Sequence, residues 1–499
     1  MKKILAAITI ISACSASHAI DFNDLTIKNS ELKDAAEAIV SEPAVSEKNA
    51  PATLGEPAAR SARGTDCGQC RPVPAAANAA QSVDPKWYGK DSRKAYMTFT
   101  TYMLYKIPSG YTGSVYRILY DKTQLQKISD LVRLQLQHMY GAFTMHPQFV
   151  NTPGIPSGDY KFKYLSVEES PGRYAKVTYS YEDYAVFARS LFNNAGSKRI
   201  AFVLPKDPAT IYQKGFTSGS STNRCTDAHY NSEDDFWYFW NPYQRGCPIK
   251  EDDLVTVQSD LQMLDVTRHT YPEYQKLYGN NGNGDVLQIT YLVGVDENFN
   301  SGDLGRQTFL NSFEGLQAGG FEVTLNEARH KRLSMRTPAK RSVIDMYLVN
   351  PNNAEFAKLA VNGMKTSDIF LYDGHSGLGG HLHPDRLAYD TGEQLTLPKN
   401  KYQIFYFNGC STYAYYNSAY FQMKRTSSDP GGTKNLDIIT TGIGASFSTG
   451  SKVDVTFLAT IATGQRPSWQ TILDRINAAE GSYTALTHVN GDEDNPKTQ

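Results

Sequence analysis

Two short loops carry residue types suited to covalent hydrolysis. Gly374-His375-Ser376-Gly377 follows the apolar run Asp368-Ile369-Phe370-Leu371-Tyr372, and Asn408-Gly409-Cys410-Ser411-Thr412 follows Tyr402-Gln403-Ile404-Phe405-Tyr406-Phe407. A thiol becomes a good nucleophile when a nearby base or imidazolium favours its thiolate. His375 is therefore a candidate general base or acid, and Cys410 a candidate nucleophile. Glycine-rich turns let backbone donors approach a reacting carbonyl closely. The N–H groups of Ser376, Gly377, Gly409 and Cys410 are the expected oxyanion donors.

The same residues admit other chemistry. Gly374-His375-Ser376-Gly377-Leu378 nearly matches the nucleophile elbow of a serine esterase, but position 378 is Leu and the following Gly379-Gly380-His381-Leu382-His383-Pro384 cannot form the apolar helix that an elbow feeds. His375, His381, His383 and Asp385 form an alternative metal-ligand cluster, since His-x-His is a real ligand spacing. Cys225, His229 and Cys247 are three possible zinc ligands with no fourth apparent from spacing. No cofactor is expected from the sequence.

The residues 1–19 read as a cleavable export signal. Met1-Lys2-Lys3 is a positive start, Ile4 to Ile11 an apolar centre, and Ser17-His18-Ala19 a small-residue cleavage site. Ile11-Ser12-Ala13-Cys14 also looks like a lipobox, in which Cys14 would be acylated and anchor the chain to a membrane without spanning it. No stretch reaches the eighteen or so apolar residues of a transmembrane helix. The expected destinations are the periplasm, the outer membrane if lipidated, or the medium. Of the six cysteines, Cys14 leaves the disulfide pool by either route. In an oxidising compartment the expected pairs are Cys67 with Cys70 and Cys225 with Cys247, which leaves Cys410 unpaired. Fifty Lys and Arg stand against fifty-one Asp and Glu, so there is no basic bias of the kind nucleic acid attracts.

These loops need elements to position them. Residues 20–90 are rich in Ala, Glu, Pro and Ser and read as a disordered linker or propeptide-like segment. Residues 91–205 give strands over Ala95 to Ile107, Tyr160 to Tyr164, Tyr174 to Tyr181 and Ile200 to Leu204. Helices are expected behind Asp121 and over Tyr184 to Phe192. That order, β-α-β-β-α-β, is a ferredoxin-like α+β module. Residues 206–283 read as an irregular, aromatic, disulfide-closed connection around Phe236-Trp237-Tyr238-Phe239-Trp240. Residues 284–499 alternate strand and helix, which predicts an α/β domain with a mostly parallel sheet and helices on both faces. Ligands of open α/β sheets bind beyond the carboxyl ends of the strands, where both loops fall.

Strand-Gly-His-x-Gly followed by strand-Gly-Cys-Ser resembles the caspase-like cysteine peptidases of clan CD, nearest in local wording to gingipain-like and separase-like members. The resemblance covers about residues 285–480. It implies a caspase-like domain, His375 as general base or acid, Cys410 as nucleophile, and a protein or peptide substrate. The family usually has Gly directly after the His, where this chain has Ser376 and places Gly377 one later. A catalytically idle, caspase-like binding or envelope-interaction protein is the alternative that keeps the same fold.

Overall fold

The computed structural model describes residues 92–498, apart from 194, 229, 265–269, 280–283 and 482–484. The export signal, the 20–90 segment, Cys14, the expected Cys67–Cys70 pair and His229 lie outside the described residues. The described chain forms two compact units, 92–264 and 270–498, in a mixed α/β architecture with two sheets.

The first unit contains β1 (Ser92–Lys106), α1 (Lys122–Gln137), α2 (Met139–Thr144), β2 (Gly154–Pro156), β3 (Phe162–Ser170) and β4 (Tyr174–Ala188). β5 (Ser197–Pro205), α3 (Ile211–Lys214) and β6 (Leu254–Met263) complete it. Asp121 caps α1 by accepting the Gln124 N–H at 3.0 Å, as its position ahead of the apolar spacing predicts. The sheet order is β2-β4-β1-β6-β5 with β3 also on β4, and every pairing is antiparallel. One face of β1 buries Ala95, Met97, Phe99, Met103 and Tyr105, the period-two signature of a sheet covered on one side.

Two expectations for this unit fail. Residues Tyr184 to Ala188 are not helical but continue β4, followed by a short 3-10 turn over Arg189–Leu191. The reason is tertiary: β4 pairs with β1 from Tyr174 opposite Lys106 to Ala188 opposite Ser92, and β2 takes Ala185 to Phe187 on the other edge. Partners on both sides outweigh the local helical spacing. The second helix of the expected ferredoxin-like order is thus absent among the described residues. Nor is 206–283 a mere connection. Within it β6 turns Val255, Val257, Ser259, Leu261 and Met263 inward and fills the sheet between β1 and β5.

The Cys225–Cys247 disulfide is formed, with an S–S distance of 2.02 Å. Its loop lays Phe236 and Trp240 against Val203 and Ile211. The His138 and His146 rings meet Trp240 edge-on, at centroid distances of 5.0 and 5.4 Å. Both imidazoles are fully buried, and desolvation pushes His138 down to about 4 and His146 down to about 3. Folded values lie below the ordinary imidazole range. Their neutral burial therefore contributes fully above that range, and the contribution is lost as pH falls through the folded values. Urea unfolding followed by tryptophan fluorescence should show the midpoint falling between neutral pH and pH ~4, by an equivalent of a few kcal/mol. His146→Gln should flatten that limb, and an identical slope in the variant would contradict the assignment.

The second unit contains α4 (Tyr274–Leu277), β7 (Val286–Gly294), α5 (Leu304–Ala318), β8 (Glu322–Asn326), β9 (His330–Arg336), β10 (Arg341–Val349) and α6 (Ala354–Thr366). It continues with β11 (Ile369–Asp373), α7 (Pro384–Thr391), β12 (Gln403–Asn408), α8 (Thr412–Lys424), β13 (Leu436–Thr440), α9 (Phe447–Ala462), α10 (Trp469–Glu480) and β14 (His488–Asn490). The sheet order is β14-β13-β12-β11-β7-β10-β9-β8.

Five adjacent strands, β13 to β10 in that order, run parallel; β14 on one side and β9 and β8 on the other run antiparallel. The sheet is mixed, not mostly parallel as expected. Tight connections account for β8 and β9, because a short return such as Thr337 to Lys340 between β9 and β10 can only join antiparallel strands, whereas β14 comes back antiparallel after α9 and α10. β8 meets β9 through a register irregularity between Val323 and Leu325. Helices cover both faces. Phe309, Phe313 and Leu316 of α5, Phe457 and Ile461 of α9 and Trp469 of α10 pack on one, while Phe356 and Ala360 of α6, Leu387 of α7 and Tyr416 and Tyr420 of α8 pack on the other. β11, β12 and β13 are buried along their whole length, as strands covered on both faces must be.

Candidate functional site

β11 and β12 are parallel neighbours, in register from Ile369 opposite Ile404 to Asp373 opposite Asn408. Their carboxyl ends release the two loops side by side. The Gly374 N–H donates to the Asn408 carbonyl at 3.1 Å. A Cβ on Gly409 would lie 2.7 Å from the Gly374 carbonyl oxygen, so the two backbones approach at a distance only glycine tolerates.

His375 is held from two directions. Its Nε2 is 2.7 Å from Asp296 Oδ1, in the segment that follows β7, and its ring meets Phe447, the first residue of α9, edge-on at 5.4 Å. The carbonyl of His375 accepts the Tyr372 hydroxyl and His381 Nδ1, each at 2.6 Å. Asp303 in turn organises the Asp296 segment, accepting the N–H groups of Asp296, Glu297 and Asn298 at 2.8 to 3.1 Å. The imidazole therefore has an acidic partner supplied by a third parallel strand, and its side chain keeps about one-fifth exposure at 21%.

The Cys410 loop is pinned from the opposite side. Thr412 Oγ1 donates to the Phe407 carbonyl at 2.8 Å and accepts the Thr441 N–H at 3.0 Å, and the Thr441 hydroxyl donates to the Gly409 carbonyl. Ser411 adopts left-handed backbone geometry (φ 57°, ψ 27°) as it leads into α8, and its N–H donates to the Ile443 carbonyl at 3.0 Å. Cys410 is half-buried rather than sealed. One expectation is overturned here. Cys410 is disulfide-bonded, with its partner outside the described residues, so the sulfur is not a free thiol in this structure.

The remaining sequence candidates separate by role. Among the described residues the Ser376 and Gly377 N–H groups make no backbone hydrogen bond. Ser376 itself is buried and its carbonyl accepts the Gly379 and His381 N–H groups, each at 3.1 Å. Left-handed geometry falls at Gly377 and Leu378 instead, and a turn rather than a helix follows, so no serine elbow is built. The alternative metal ligands are not gathered. His381 turns inward to the His375 carbonyl, and burial holds its imidazole below the usual range, while His383 caps α7 beside the exposed Asp385. No group of three or more His, Cys, Asp or Glu among the described residues is arranged to hold a metal ion. Cys225 and Cys247 are consumed by their disulfide.

Beneath both loops lies a polar group the sequence did not reveal. The Asn408 amide donates to Asp373 Oδ2 at 3.1 Å and to Asp454 Oδ1 at 3.0 Å, and the Tyr291 hydroxyl donates to Asp454 Oδ2 at 2.5 Å. One amide thus ties the two carboxyls together. Burial raises both, with Asp373 well above the usual carboxyl range and Asp454 lifted to about 6. Asp296, Asp454 and Phe447 carry no local motif; only the fold brings them to this rim.

No family model matches the chain, and no curated protein matches it. The class is set by architecture and site alone: a two-unit mixed α/β protein with an Asp–His pair and a cysteine loop at one rim of its second sheet.

α9 approaches this floor so closely that a Cβ on Gly450 would lie 2.5 Å from Asp373 Oδ2. Gly450→Ala should therefore destabilise the chain by about 1–3 kcal/mol, because the buried carboxyl has nowhere to move. Chemical denaturation of the variant checks this, and a wild-type midpoint would show that the approach is looser than described.

Proposed function

We propose that the second unit is a caspase-like cysteine peptidase domain of an exported protein. Cys410 is its nucleophile and His375 its general base and acid. The observation that carries this reading is the parallel pairing of β11 with β12, which brings the His375 loop, with its Asp296 partner, beside the Cys410 loop. The run of five parallel strands with helices on both faces supports the same class. Export rests on residues 1–19, and anchoring through an acylated Cys14 is the alternative maturation.

The chemistry begins with reduction. A dithiol reductant opens the Cys410 disulfide by exchange, becoming oxidised itself and leaving Cys410 as a thiol or thiolate. His375 takes the thiol proton and the sulfur attacks the peptide carbonyl, with the Ser376 and Gly377 N–H groups facing the developing oxyanion. The C–N bond breaks as His375 returns the proton to the leaving amine. Water then attacks the thioester, the C–S bond breaks, and a carboxylic acid leaves with the thiol restored. Asp296 holds the imidazole in orientation.

The Cys410 disulfide specifically favours a second reading, a binding or envelope-interaction protein that keeps the fold and never frees its sulfur. Assay of the full chain on a peptide library, with and without dithiol, separates the two. Peptidase chemistry requires cleavage that appears only on reduction, is blocked by iodoacetamide at Cys410, and falls by about 10³-fold or more in Cys410→Ala and in His375→Ala. Alkylation of Cys410 with no cleavage under any reducing condition would leave the binding protein.

A further inference from the structure

We propose that Asp454 is a positioning residue: it shares one proton with Asp373, and the pair clamps Asn408 so that the His375 loop stays in register with the Cys410 loop. The inference deepens the peptidase reading in what the clamp serves, while the clamp itself rests on buried geometry alone.

Asp373 is the last residue of β11, two positions before His375, and Asn408 is the last of β12, two positions before Cys410. They are direct cross-strand partners. Asn408 spends its amide on both carboxylates, one bond to each, at 3.1 and 3.0 Å. Asp454 comes from α9, whose first residue, Phe447, meets the His375 ring. Tyr291 reaches Asp454 from β7, the strand that leads to Asp296, and the Ser312 hydroxyl of α5 lies 3.1 Å from the Tyr291 hydroxyl. Four elements that each deliver a part of the site thus end on one carboxyl pair.

Charge balance requires the shared proton. Asp373, Asp454 and Asn408 are each 6% exposed or less. The groups that face the pair are Tyr291 from β7, Tyr372 from β11 and Tyr406 from β12, with Glu480 of α10 acting on Tyr406 in turn. Among the described residues no Lys, Arg or His pairs with either carboxyl. Two adjacent carboxylates, both ionised, without a counter-charge and out of water, repel strongly; one proton between them turns repulsion into a hydrogen bond. The folded carboxyls lie above their unfolded range, so this stabilisation is complete at acid pH and is lost as pH rises through the folded values. The clamp therefore loosens on the alkaline side, the reverse of a salt-bridged carboxylate.

The test uses the full chain under dithiol, as wild type and as Asp454→Asn. Infrared spectroscopy reads the carbonyl stretch of a neutral buried carboxylic acid, calorimetry gives Tm across pH, and peptide hydrolysis supplies kcat and KM. Wild type should show the neutral-acid band at pH 7, and Tm should fall as pH rises above the unfolded carboxyl range and level off where the band is lost. Asp454→Asn should lose the band, flatten the alkaline fall in Tm, and lower kcat on the order of tenfold or more with KM little changed. If that variant does not fold, Tyr291→Phe removes one hydroxyl donor to the ionised form and should move the alkaline limb to higher pH. A wild type without the band at pH 7, or an unmoved limb in the folded variant, overturns the clamp. Band and Tm behaving as described in a chain that cleaves nothing would retain the clamp and sink the peptidase reading; cleavage without the band would do the reverse.

Discussion

One backbone hydrogen bond, from the Gly374 N–H to the Asn408 carbonyl at 3.1 Å, marks the place where β11 and β12 stop being strands and become loops. Because the pair is parallel and in register, both strands end at the same level, and a shift of one residue would carry every side chain of one strand to the opposite face. Parallel neighbours need a long crossover, which α7 and its flanking turns provide between residues 374 and 402. The chemistry at the rim is thus decided by pairing within the sheet and by the helices that pin it from both sides. Thr412 and Thr441 lock the Cys410 loop to β13, Asp296 reaches His375 from beyond β7, and α9 closes the floor.

This arrangement is already in place with Cys410 in a disulfide. The loop geometry, the left-handed Ser411 and the Asp296–His375 contact are all in place with the sulfur in a disulfide. In the first unit the Cys225–Cys247 bond has a different task, closing a loop whose aromatic side chains complete a core against β5 and α3. One chain thereby uses a disulfide to close a core loop in one unit and to hold the Cys410 loop at the sheet rim in the other.

The legible parts of the sequence were those written by local pattern. The fully apolar runs of β11, β12 and β13, the Asp121 cap and the glycine-flanked His375 and Cys410 loops follow from residues within a few positions of one another. The strand nature of Tyr184 to Ala188 was not legible, since its neighbours β1 and β2 are far away in sequence. The same limit hid Asp296, seventy-nine residues from His375, and Asp454, forty-six from Asn408. β6 is a different failure: its alternation of Val255, Val257, Leu261 and Met263 was visible, but the aromatic and disulfide-closed run before it invited a reading as loop. α8 shows a third case, because its buried stripe is made of Tyr413, Tyr416 and Tyr420, whose polar tips weaken the apolar contrast that marks a helix.

The outermost strands of the second sheet bear on how the molecule behaves in company. β14 is only three residues long, and β8, at the far side, meets its neighbour through a bulge and alternates exposed Glu322, Thr324 and Asn326 with half-buried Val323 and Leu325. An open row of unpaired amides invites a foreign strand to add, and brevity, irregular twist and a charged side chain all discourage it. The parallel interior, whose apolar runs would be the stickiest segments if bared, is therefore flanked by borders that make poor templates. Crowded copies of the protein gain little by stacking rim to rim.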